Sequence, residues 1–317
     1  MAGRIPRVSV PGRLCLAGEH VDWMGGRVAT LAVDLTVTVE ARPNGTSRID
    51  VEYTRDFPGE QWQPDLSQDG WLRSVISTLH AHGIEPPGCQ LTVSGDLPTS
   101  GGLASSAALC LALVSSFVAL AEISAGADQL AQLAYEAERH RGVLCGPMDQ
   151  YGITHGGLSW LNCQGVPPTV GRGIWPPGLR IVVGTSPESC LLQSVLPGLL
   201  RRHAAQDRDL QSYRRTCDEL VEGMPGSPST ADLTYLISEG HRLAERFLGP
   251  FDTIVTDAMA AAKRSGALAV KTSGARYRGG SCFAICDDAE LDQVTKAMAS
   301  AGINVDVVAV SDGIHIE

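Results

Sequence analysis

The stretch SGGLASSAAL, Ser100 to Leu109, governs how the rest of the chain is read. Two glycines and two serines stand directly before an apolar run. A helix start exposes unpaired backbone N–H groups and the positive end of the helix dipole, and both favour an anion. Gly101 and Gly102 let the backbone curl and let a phosphate approach with no β-carbon in the way. Ser105 and Ser106 supply hydroxyls that can cap the helix, hydrogen-bond a phosphate or ligate a hydrated magnesium ion. The lysine of a GxxxxGK[ST] loop is absent, so an amide cradle, a metal and a charge from elsewhere would have to replace it. From this stretch alone two readings stay open: a phosphate cradle, and a plain glycine turn with a serine cap before a core helix. No GxGxxG fingerprint occurs, which argues against a Rossmann-type dinucleotide enzyme.

The apolar run continues to Ala121. Ala104–Ala121 carries no charge over about the length of a minimal membrane span. It is rich in small residues and holds four serines, so we read it as a helix buried inside a domain. Around it, strands are expected at Val8–Ala17, interrupted at Pro11-Gly12, and at Val28–Ala41, Gln90–Ser94, Gly156–Cys163 and Leu179–Thr185. Helices are expected at Ala127–Arg141, Leu199–Glu222, Ala231–Phe247 and Asp252–Ser265. A strand–helix–strand close follows at Ser281–Cys286, Asp288–Ala301 and Val305–Val310. The Pro/Gly-rich segment GVPPTVGRGIWPPG, Gly165–Gly178, marks the domain boundary. The expected division is 1–170 and 171–317. Strands and helices mix without a strict βαβ rhythm, which predicts an α+β class.

Bulk properties bound the function. A chain of 317 residues holds a large core and two domains. A net charge of −10 argues against nucleic acid or an anionic membrane as partner, and leaves anionic small molecules open. The nine cysteines form no CxxC pair, so neither a disulfide framework nor a zinc site is expected. Together with an N-terminus lacking a signal-peptide core, this predicts a cytoplasmic protein.

Two further stretches bear on the glycine–serine loop. PGRLCLAGEHVDWMGG, Pro11–Gly26, sets Arg13, Glu19, His20 and Asp22 among glycines and Trp23, as in a shaped pocket wall rather than a solvated helix face. ERHRGVLCGPMDQ, Glu138–Gln150, places Asp149 after a Gly-Pro turn.

Taken together, GRLCLAGEHVDWMGG, GGLASSAAL, CGPMDQ and the late SGARYRGGSC resemble, in order and spacing, the GHMP small-molecule kinases, and among them the galactokinase-like sugar kinases. The resemblance runs from Pro11 nearly to Cys282. It implies an N-terminal ATP-binding domain of the ribosomal-protein-S5-domain-2-like kind and a C-terminal ferredoxin-like domain, with the site in the cleft between. It places Gly101, Gly102, Leu103, Ala104, Ser105 and Ser106 around the phosphates of ATP. Ser106 and Glu138 become the Mg²⁺ ligands, with Glu136 the alternative to Glu138. Asp149 becomes the catalytic carboxylate and Arg13 its companion. Glu19, His20, Asp22 and the backbone at Gly146 become the sugar contacts. The implied function is ATP-dependent phosphorylation of a sugar hydroxyl, at the anomeric position, by a monomer or homodimer.

The late motif departs from the family's GAGFGG or GAGFRG. Arg276 and Arg278 motivate one alternative, a kinase of a modified or higher-carbon sugar or of a sugar phosphate. A non-catalytic regulator that binds sugar and ATP is the alternative from another class.

Overall fold

The structure, a computed structural model, describes residues 5–54, 70–99, 101–142, 144–187, 196–249, 251–274 and 280–317. In chain order the described elements are β1 (Arg7–Ala17), β2 (Arg27–Pro43), β3 (Ile49–Tyr53), α1 (Trp71–Ala81), β4 (Cys89–Gly95), α2 (Ser105–Leu120), α3 (Ala127–His140) and α4 (Met148–His155). They continue with β5 (Leu158–Asn162), β6 (Thr169–Gly173), β7 (Leu179–Thr185), α5 (Leu196–Ala204), α6 (Arg208–Glu222), α7 (Thr230–Leu248) and α8 (Thr253–Arg264). Last come β8 (Ala269–Ser273), β9 (Ser281–Asp287), α9 (Leu291–Ser300), β10 (Asn304–Val308) and β11 (His315–Ile316). The class is α+β, as the sequence predicts.

Two sheets carry the fold. The first has the order β11-β1-β2-β4-β3, with β5 joined to β2 and β6 to β5. Its pairs are antiparallel except β3 with β4. The strand β2 is long enough to serve two neighbours on one side, β4 along Val37–Pro43 and β5 along Arg27–Leu31. The expected break at Pro11-Gly12 is a register shift within a continuous β1. The second sheet, β10-β7-β9-β8, is antiparallel throughout.

The apolar helix α2 lies under the first sheet and is buried almost all round. Of its two buried mid-helix serines, Ser116 Oγ donates to the Ala112 carbonyl at 2.8 Å, while Ser115 Oγ has no hydrogen-bond partner among the described residues. No described helix is long and apolar enough to cross a membrane. One large apolar cluster joins β1, β2 and α2 to Leu179, Ile181, Tyr213, Leu236 and Phe283 of the second half. A smaller one fills the space between the second sheet, α8 and α9.

The 170/171 division falls inside β6, which pairs with β5 of the first sheet. The chain's last strand also returns to that sheet, with Ile316 opposite Val8. The expected helix over Leu199–Glu222 is two helices. Asp207 caps the second by accepting from the N–H groups of Asp209 and Leu210.

Candidate active site

β1 ends in a tight turn. Gly18 (φ +91°) and His20 (φ +63°) both take left-handed backbone there. For a histidine that conformation is uncommon, and it stores strain where the chain turns back into the core. The Val21 N–H donates to the Gly18 carbonyl and the Gly26 N–H to the Val21 carbonyl, and these hydrogen bonds close the turn. Glu19, His20 and Asp22 are buried in it, with Arg13 a few residues upstream on β1.

Arg13 and Asp149, 136 residues apart, meet directly. Arg13 Nε donates to Asp149 Oδ1 at 2.8 Å, and Nη2 reaches the same oxygen at 2.7 Å. The arginine side chain is 5% exposed and the aspartate 26%, so the carboxylate faces open space from a buried cation. Burial is the largest influence and opposes the arginine's charge, but Asp149, with Cys15 and Asp22 adding to it, holds the Arg13 pKa above the ordinary value. Arg13 Nη1 donates to the Gly102 carbonyl at 2.8 Å, and the Arg13 amide donates to the Leu103 carbonyl at 3.0 Å. The carboxylate–guanidinium pair therefore sits against the glycine–serine loop.

That loop opens α2 without a side-chain cap. The N-cap is Ala104, in left-handed backbone at φ +66°, and no side-chain cap bond is made among the described residues. Neither serine caps the helix. Leu103 is fully buried as the loop's anchor, and Ser105 is buried. Gly101 packs beside Thr185. Gly102 is left-handed at φ +75°, and a β-carbon there would fall 2.4 Å from the Ser273 carbonyl oxygen. Gly274, at φ +85°, lies against Gly102 in turn. The first half's loop and the second half's late motif thus meet glycine to glycine. Arg276 and Arg278 lie outside the described residues.

Ser106 Oγ donates to Glu138 Oε1 at 2.7 Å, and Gln150 Nε2 bonds the other carboxylate oxygen. Burial, with the Asp149 charge adding to it, pushes the Glu138 carboxyl up to about 7, against the Ser106 and Gln150 hydrogen bonds. Glu136 sits elsewhere, bonded to His82 at 2.6 Å and Gln132 at 2.7 Å. The serine–glutamate pair is oxygen-only, the donor chemistry of a hard cation. Among the described residues there is no cluster of three or more His, Cys, Asp or Glu. One turn beyond Glu138, a cavity of about 440 Å³ opens between α1 and α3, lined by Arg73, Ser74, Ser77, His140 and Arg141.

Asp22 lies between the two halves of this arrangement. The Met148 amide donates to its Oδ2 at 3.3 Å. A β-carbon on Gly146 would fall 2.2 Å from that same oxygen, so only glycine fits there. Burial, then the Asp149 charge, pushes the Asp22 carboxyl up to about 6. Glu19 is 2% exposed and pairs with Lys271, which is fully buried on β8. Lys271 and Ser273 are residues beside this candidate site that the sequence does not single out. Ser273 Oγ accepts from the Cys15 amide at 3.1 Å and from Arg13 Nη1 at 3.4 Å. A strand with a lysine at its centre gives no apolar signal, though the neighbouring SGARYRGGSC motif points to the place.

The chain matches three family models: "GHMP kinases N terminal domain" over residues 72–157, "GHMP kinases C terminal" over 236–304, and "Galactokinase galactose-binding signature" over 6–43. It is 30% identical over 258 residues to a galactokinase of Roseiflexus sp., covering 75% of this chain and 61% of that one. It is 31% identical over 154 residues to a galactokinase of Thermococcus kodakarensis, covering 47% of this chain and 44% of that one. The matched stretch thus spans less than two thirds of each relative. Two solved structures share the fold. Lactococcus lactis galactokinase complexed with galactose has a TM-score of 0.77 at 19% identity, over 99% of this chain and 95% of that one. Methanococcus jannaschii mevalonate kinase has a TM-score of 0.77 at 17% identity, over 98% of this chain and all of that one. With both terminal domains matched and the fold shared along nearly its whole length, this chain belongs to the GHMP kinase family.

Proposed function

We propose that this chain phosphorylates a sugar hydroxyl with ATP, at the anomeric position, as a galactokinase-like sugar 1-kinase. The observation that carries the reading is the Arg13–Asp149 pair, held at 2.7 Å against the carbonyl of Gly102 at the mouth of α2. The galactose-binding signature supports the sugar, since it covers Arg13, Glu19, His20 and Asp22.

In this reading the uncapped amides of α2 and the β-carbon-free surface of Gly101 and Gly102 receive the phosphates. Asp149 accepts the proton of the attacking hydroxyl, or orients that hydroxyl, as its oxygen bonds the γ-phosphorus of ATP and the bond to the bridging oxygen breaks, releasing ADP. Arg13 keeps the carboxylate ionised and steadies charge on the phosphoryl oxygens. Glu19, His20, Asp22 and the Gly146 backbone hold the other hydroxyls by directed hydrogen bonds.

Ser106 and Glu138 fit Mg²⁺ as an oxygen pair beside the loop, with phosphate and water completing the set. When bound there, the ion supplies positive charge that offsets the negative charge of the phosphates. Glu138 must give up its proton to serve, and that ties metal affinity to pH.

The deciding experiment is an ADP-release screen over neutral aldoses, uronic acids, amino sugars and sugar phosphates, with the product position assigned by NMR. Turnover of a neutral aldose to its 1-phosphate is the expected result. Binding of sugar and ATP with no ADP released would mark a regulator instead.

A further inference from the structure

Glu19 and Lys271 stand 252 residues apart, yet they form a buried ion pair between the β1 turn and β8. Lys271 is fully buried and also donates to the Thr272 carbonyl at 2.8 Å. Taking both charges out of water costs heavily, and for stability alone an apolar pair would serve as well. The pair's geometry is uneven. Lys271 takes Oε1 of Glu19, while Oε2 is buried and has no hydrogen-bond partner among the described residues. A buried acceptor left unmade is unusual and points to a missing donor. The glutamate is fixed from a third direction too, since Tyr213 Oη donates to its backbone carbonyl at 3.0 Å.

β8 repeats the arrangement one pleat along. Residues two apart on a strand share a face. Ser273 therefore stands beside Lys271 and contacts Arg13 and the Gly102 carbonyl. One edge strand of the second half thus braces both the Arg13–Asp149 pair and Glu19.

We propose that Lys271 is a positioning residue of the acceptor subsite. It holds Glu19 turned, so that Oε2 accepts a hydroxyl of the bound sugar. The inference rests on the sugar-kinase reading for its ligand and assigns Lys271 a role through Glu19, without contact with the reacting atoms.

The test compares wild type, K271M, K271R, E19Q and the double variant E19Q/K271M. The double variant removes both charges together, so no uncompensated charge opposes folding. Sugar affinity is measured by calorimetry without nucleotide, using D-galactose and a panel of other neutral aldoses. KM for sugar, KM for ATP and kcat are measured alongside, and thermal melts verify folding. Loss of one charge-assisted hydrogen bond weakens binding about 10- to 100-fold. K271M and E19Q should each show that loss in sugar affinity and in KM for sugar, with KM for ATP held within about twofold. The double variant should lose no more than either single, because the two residues act as one unit. K271R should recover part of the loss. A folded K271M that binds sugar like wild type, or losses that multiply in the double variant, would overturn the proposal. So would a wild type that binds no aldose of the panel. A wild type that binds sugar but releases no ADP would overturn the kinase reading alone, and the variants' affinities would still decide the role of Lys271.

Discussion

Three carboxylates, Asp149, Glu138 and Asp22, make the residue scale testable. Asp149, paired with Arg13 and partly open to solvent, is the group we propose takes a hydroxyl proton. Asp149→Asn keeps the shape and removes the base, so turnover should fall about 10²- to 10⁴-fold. Affinity for ATP should stay within a few-fold, as read by ADP release and calorimetry. Glu138 makes a second prediction. Its folded pKa of about 7 stands above the ordinary 4.5, and that of Asp22, about 6, above 3.8. Across these windows the folded protein holds protons that the unfolded chain has lost. Both groups therefore favour folding below about pH 4 and withdraw that support as pH rises through 6 and 7. The metal-free protein should lose stability between about pH 4 and pH 7, by about 1–3 kcal/mol for a buried carboxyl. Glu138→Gln should flatten that slope in urea melts. Mg²⁺ added at pH 6 should release a proton, visible as a buffer-dependent binding enthalpy.

At the scale of elements, the glycine–serine loop is where sequence and packing agree most closely. Gly102 needs left-handed backbone and leaves no room for a β-carbon against the Ser273 carbonyl. Gly102→Ala should cost about 1–3 kcal/mol in urea unfolding and raise KM for ATP, because the loop must leave either Ser273 or its phosphate-facing shape. The sequence shows this loop, the long β2 and the uniformly apolar α2 because each carries a strong local pattern. It also shows the arginine, the aspartate and the acidic turn, through motifs that resemble a family. It does not show β8, whose five residues centre on a buried lysine, or β11, which is two residues long. Local pattern reports a residue's usual place, and Lys271 is buried only because Glu19 arrives from the far end of the chain. The helix α1 was legible in principle, since Trp71, Leu72, Val75 and Leu79 share one face at helical spacing. Asp207 likewise marks the break between α5 and α6 through its capping bonds.

Over the whole molecule, the two halves named by the family models share more than a cleft. The helices α6 and α7 of the second half bring Leu210, Tyr213, Leu233, Leu236 and Ile237 into the same buried cluster as Val8, Leu14 and Leu16 of β1. In α7 Gly240 lets the helix approach β1 closely, since a β-carbon there would fall 2.7 Å from the Leu16 carbonyl oxygen. β11 pairs with β1 at Val8 and Ser9, and Val310 bridges to Val33 of β2. Each buried side chain of this kind contributes about 1.5–3 kcal/mol, against a total stability of about 5–15 kcal/mol for a typical protein. A fragment of residues 1–170 loses all of these partners, as well as Lys271 beneath Glu19. That fragment should show no cooperative thermal transition, and the full chain should melt in one step by calorimetry, with calorimetric and van't Hoff enthalpies in agreement. Two separate transitions in the full chain, or a cooperatively folded 1–170, would mean that the apolar cluster does not couple the halves. The site, built from both, would then have to be assembled by the ligands rather than by the fold.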